Sequence, residues 1–145
     1  MTTQQTTSVL QQPVKWSWTR HRRCVGLARA QLRKMLARWG MAELEFAAVA
    51  VLSELVANAV VHARVPPGRE VHTRFVPVDG GVRIEVHDAS GELPVPRVPD
   101  ESGGYGLTLV DELSARWGVA ERGGVGKCVW AVITDGDRPA PQAAG

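Results

Sequence analysis

Residues 52–63 read LSELVANAVVHA, an apolar run that Glu54, Asn58 and His62 interrupt at every fourth position. Leucine, valine and alanine at helical spacing predict a helix here, and its extent organises the rest of the chain. Leu44, Ala48, Val51, Leu52, Leu55 and Ala59 carry the same period, giving a helix over about 42–63 with a single core stripe. VPPG at 65–68 breaks it. Residues four apart on a helix are displaced by about 40° around its axis, so the three polar side chains form a slowly turning ridge beside that stripe. A carboxylate and a carboxamide at the edge of a core are costly to bury without partners. They suit either a solvent-facing side or the wall of a cleft that holds something polar. In a cleft, Glu54 could act as a base toward a hydroxyl or water, and the side-chain oxygen of Asn58 could bind Mg²⁺. His62 reads as a structural residue near the helix C-terminus, where positive charge is favourable.

Outward from this helix, Val25, Ala28, Leu32, Met35, Leu36 and Trp39 predict an earlier one over about 19–38, stopped by Gly40. VHTRFVPV (71–78) and VRIEVHD (82–88) alternate apolar and polar residues around DGG and read as a hairpin. Pro77 places the end of its strand, or a sheet edge, there. The proline-rich, aperiodic stretch at 89–104 is long for a connector and is expected to be a functional lid. A third helix follows over about 105–115. WGVAER (117–122) and GKCVWAVIT (126–134) then make a second hairpin. This order predicts a two-layer α+β sandwich, with three helices on one face of a mostly antiparallel sheet. Trp39, Trp117 and Trp130 fall on apolar faces and are expected in the core.

A chain of 145 residues holds one domain with a sizeable core. That domain is expected over 15–135, between disordered tails at 1–14 and 136–145. A net charge of +2 is too mild to indicate nucleic-acid binding without a concentrated patch. Cys24 and Cys128 lack metal-type spacing and read as reduced thiols. No signal-peptide pattern and no apolar run long enough to span a bilayer is present, so a cytoplasmic protein without membrane attachment is expected.

Two further motifs could carry chemistry. VHDASG puts Asp88 where a strand ends and Gly91 three residues later, which by itself is an ordinary strand-to-turn boundary. GGYGLTLV (103–110) leads a glycine-rich turn into a helix, and helix N-termini favour anions such as phosphate. Neither it nor GGVGK (123–127) is a Walker A loop.

Taken in order, Glu-x₃-Asn on a helix, Asp-x-x-Gly at a strand end, a proline-rich loop and Gly-x-Gly-Leu opening a helix resemble the GHKL (Bergerat-fold) ATPases. The likeness covers about 16–134 and is nearest to the single-domain anti-sigma-factor serine/threonine kinases of the RsbW and SpoIIAB type. It implies ATP and Mg²⁺ as cofactors, with Glu54 as general base and Asn58 holding the metal. Asp88 would accept from the adenine amino group, and Gly91 would let the base approach. Gly104, Gly106 and Leu107 would cradle the phosphates. Tyr105 stands where that branch often has Arg, and Cys128 where Ser or Thr often helps bind adenine through water. The resemblance further implies a kinase acting on an anti-anti-sigma protein and binding a sigma factor. The alternative is a non-catalytic partner-binding module with weak or lost nucleotide binding. Arg22, Arg29 and Arg33 share one face of the first helix, either as a solvated face or as a dock for an acidic partner. Direct nucleic-acid binding is not expected, and a homodimer stays open.

Overall fold

The apolar period around residue 52 becomes helix α2 (Glu45–Val61), which buries Ala48, Val49, Val51, Leu52, Leu55, Val56 and Ala59. The predicted stripe is all buried, and Val49 and Val56 widen it because α2 touches two other helices as well as the sheet. The computed structural model describes residues 12–19, 23–61, 70–88, 106–121 and 126–135. Among them, the other elements are β1 (Val14–Thr19), α1 (Arg23–Arg38), β2 (Glu70–Val78), β3 (Gly81–Asp88), α3 (Gly106–Leu113), β4 (Arg116–Glu121) and β5 (Lys127–Thr134). A 3₁₀ turn at Ala42–Leu44 leads into α2. The strands make one antiparallel sheet in the order β1-β2-β3-β5-β4. With the three helices it forms the expected α+β sandwich.

Local chemistry explains the joints. Gly40, at φ +72°, ends α1: its N–H donates to the Ala37 carbonyl at 3.2 Å, and the Met41 N–H donates to Leu36 at 2.7 Å. This is a Schellman turn, whose left-handed residue glycine adopts without a steric penalty. Leu32, Leu36, Leu52 and Ile84 are fully buried, each contributing about 1.5–3 kcal/mol relative to exposure.

The pleat sorts β3 into two faces. Val82, Ile84, Val86 and Asp88 are buried on the face that joins the core, and Arg83, Glu85 and His87 occupy the other.

Strand β1 has no counterpart in the sequence reading, which recognises no strand ahead of the first helix. It pairs with β2 from Val14↔Phe75 to Thr19↔Glu70. Trp16 packs on Phe75 with ring centroids 5.4 Å apart, and the Trp18 indole N–H donates to Thr73 Oγ1 at 2.9 Å. Trp130 is a second correction. It lies on the outer sheet face, with the Arg83 guanidinium 4.5 Å from its ring centroid, rather than in the core. Trp39 is buried as expected, and Trp117 packs against the core while donating to Asp111 Oδ1 at 3.1 Å.

Candidate functional site

Helix α2 carries Glu54 and Asn58 one turn apart, and both side chains are half-buried. Neither is held by a hydrogen bond or ion pair among the described residues, so their polar atoms are uncommitted at the edge of the core. That helix packs on β3 and on α3, the two elements that bear the other motifs. Asp88, the last residue of β3, is 3% exposed and turned to the same side as Val86 and Ile84, toward the helices. Gly106 is the first residue of α3, and Leu107 behind it is buried. Gly91, Gly104, Tyr105, Arg22 and His62 lie outside the described residues.

Two residues of β5 change the reading of the site. Register pairs Asp88 with Lys127 and His87 with Cys128. Successive side chains on a strand point to opposite faces, so Cys128 is carried to the outer face, away from Asp88. Its sulfur lies within 4.8 Å of donor atoms of Glu85 and His87. The side chain that reaches Asp88 is Lys127, whose Nζ is 3.1 Å from Oδ1 and 3.1 Å from Oδ2. Both side chains are buried, at 10% and 4% exposure. Sequence reasoning missed this pair because its only signal is the register between two distant strands.

The outer face holds a network that sequence reasoning also missed. Glu85 accepts from Arg83 Nε at 2.8 Å, from Arg74 at 3.1 Å and from the His87 ring at 3.0 Å. Burial pushes its carboxyl upward, but the hydrogen bonds from His87 and Arg83 and the charges of Arg74 and Arg83 outweigh that and hold it below the usual glutamate range. The spacing of Glu85, His87 and Cys128 could span a cation. Two guanidiniums already neutralise the carboxylate, however, so the group is an ion-pair network first.

On α1, Arg33 lies 3.8 Å from Glu45 with both side chains exposed, a contact worth little by itself. Arg29 is half-buried, and its Nε has no partner among the described residues. Cys24 and Cys128 are both buried thiols.

An antiparallel sheet lined on one face by three helices, with Glu and Asn on the central helix and Asp at a strand end, defines a GHKL-type nucleotide-binding domain. Residues 19–133 match the model of the histidine kinase-like ATPase domain family, and the chain belongs to that family. No curated protein matches it.

Domains of this family bind ATP, usually with Mg²⁺. Of the residues that the resemblance assigns to metal and phosphates, Asn58 offers a hard oxygen donor and Glu54 a carboxylate, both half-buried and uncommitted among the described residues. Asp88, which the resemblance assigns to the adenine, has its carboxylate engaged by Lys127.

Proposed function

We propose that the chain is an ATP-dependent regulatory kinase, which transfers phosphate to a serine or threonine of an anti-anti-sigma protein and also docks a sigma factor. The observation that carries this reading is the pair Glu54 and Asn58, one turn apart on α2 and uncommitted at the edge of the core. Glu54 would take the proton of the attacking hydroxyl. Asn58 would hold Mg²⁺ through its side-chain oxygen, and Asp88 would orient the base. Bound Mg-ATP supplies the transferable phosphoryl group and the charge neutralisation. The protein's part in such a transfer is mainly positioning.

Helix α1 supports the docking role. Phe46 at the start of α2 is 81% exposed, next to Glu45, the residue that Arg33 of α1 meets. Aromatic and arginine side chains are enriched in protein interfaces, so an acidic partner surface suits this side. Among the described residues no helix is long and apolar enough to cross a membrane.

The test is incubation with Mg-ATP and a cognate anti-anti-sigma domain. Transfer by the wild type and its loss in Glu54→Ala support the reading, and equal, negligible transfer by both ends it.

A second reading is a partner-binding module of the same fold with weak nucleotide binding. The Lys127–Asp88 ion pair favours it, as does Tyr105 where the family's kinases often have Arg. Calorimetry with Mg-ATP separates the two: absence of binding at millimolar nucleotide leaves the partner-binding role alone.

A further inference from the structure

Asp88 and Lys127 sit opposite each other at the ends of β3 and β5, on the face covered by the helices. Lys127 Nζ lies at the same 3.1 Å from both carboxylate oxygens, so it stands astride the carboxylate instead of to one side. An ammonium in this place takes an acceptor position on each oxygen, so neither oxygen is left to a base alone. The contact is also charge-assisted, roughly twice as strong as a bond from a neutral donor. A purine amino group is a neutral donor. It cannot displace the ammonium by hydrogen bonding alone, and little water reaches the pair to ease the exchange.

We propose that Lys127 is a built-in plug at the base end of the nucleotide site, holding the carboxylate that would otherwise read the base. This rests on the nucleotide-binding reading above and adds a residue that sets its strength. Binding of the base requires the Lys127–Asp88 contact to loosen, so the lysine lowers nucleotide affinity in the wild-type protein. A neutral residue at 127 that can still donate to Asp88 keeps the carboxylate satisfied and releases the plug.

The experiment measures ATP with Mg²⁺, and adenosine alone, by calorimetry against wild type, Lys127→Thr, Lys127→Gln and Lys127→Arg. Adenosine isolates the base end from any effect of position 127 on the phosphates. Thermal melts verify that each variant is folded, and the longer carboxamide of Lys127→Gln serves if the threonine variant is not. Lys127→Thr and Lys127→Gln are expected to bind both ligands about tenfold or more tightly than wild type, because a charge-assisted contact no longer has to be given up. Lys127→Arg, which keeps a cation on Asp88, is expected to stay weak. If wild type binds and the neutral variants bind no more tightly, the plug is wrong while the nucleotide reading stands. If no folded protein in the series binds ATP at millimolar concentration, the nucleotide reading fails and the plug with it.

Discussion

Asp88 and Lys127 face each other across the seam between β3 and β5, with 4% and 10% of their side chains exposed. Asp88 cannot be truncated alone without stranding the Lys127 ammonium where water scarcely reaches. Breaking such a buried pair from one side costs about 3–5 kcal/mol. Asp88→Ala is therefore expected to lose stability of that order. Asp88→Ala combined with Lys127→Met is expected to recover most of it, since no buried charge remains. Denaturant melts of the single and double variants measure the difference; a double variant no more stable than Asp88→Ala would contradict it.

For the catalytic reading, Glu54→Gln keeps the size of the side chain and removes its basicity. Loss of a general base lowers the rate by about 10²–10⁴-fold. Phosphate transfer is expected to fall by that factor, while Mg-ATP affinity, followed by calorimetry, falls far less. A parallel loss of both would make Glu54 a binding residue instead of a base.

The Glu85 network predicts a pH dependence. Its carboxyl titrates lower in the folded protein than in the unfolded chain. The stability it contributes is therefore fully present above the unfolded value of about 4.3 and is lost as pH falls through the lower folded value. Urea midpoints of the wild type are expected to drop through that acid window, and those of Glu85→Gln to drop less steeply. Parallel profiles for the two proteins would show that the network does not couple to folding.

Gly118 pairs with Trp130, and a methyl group at 118 would lie 2.9 Å from Trp130 Cζ2 and 3.0 Å from Cε2. Gly118→Ala is thus expected to push the indole off its stack with Arg83 and to cost about 1–3 kcal/mol, the usual scale of overpacking. The same substitution in a Trp130→Ala background should cost much less. Thermal melts of the four proteins give the coupling, and equal costs in both backgrounds would place the strain elsewhere.

Helix α2 and the β2–β3 hairpin were legible because their periods are written in residue type: apolar residues repeat along 44–59 and alternate through 71–86. Strand β1 alternates too, as VKWSWT, but for only six residues between a polar run and an arginine-rich helix start. What holds it is Phe75 and Thr73, far along the chain. Glu54 and Asn58 stand out because their spacing is a property of a single helix. Lys127 does not, because its pairing depends on how β5 is laid against β3. Motif order assigned Cys128 to the base pocket, yet it is one residue out of step with Asp88, and in a strand one residue is a change of face.

The seam that joins Asp88 to Lys127 connects positions 39 apart in the chain, and the Trp18–Thr73 contact spans 55. The two hairpins can close locally, but β1 and β5 dock only across long separations. Sheets of high contact order close slowly, since chain entropy is lost before the contacts that offset it are made. Until β5 arrives, β3 carries Val82, Ile84 and Val86 along an edge with unpaired backbone groups, a template for other chains. The time this edge spends open during synthesis sets the protein's exposure to aggregation, and the same closing step brings Lys127 to Asp88.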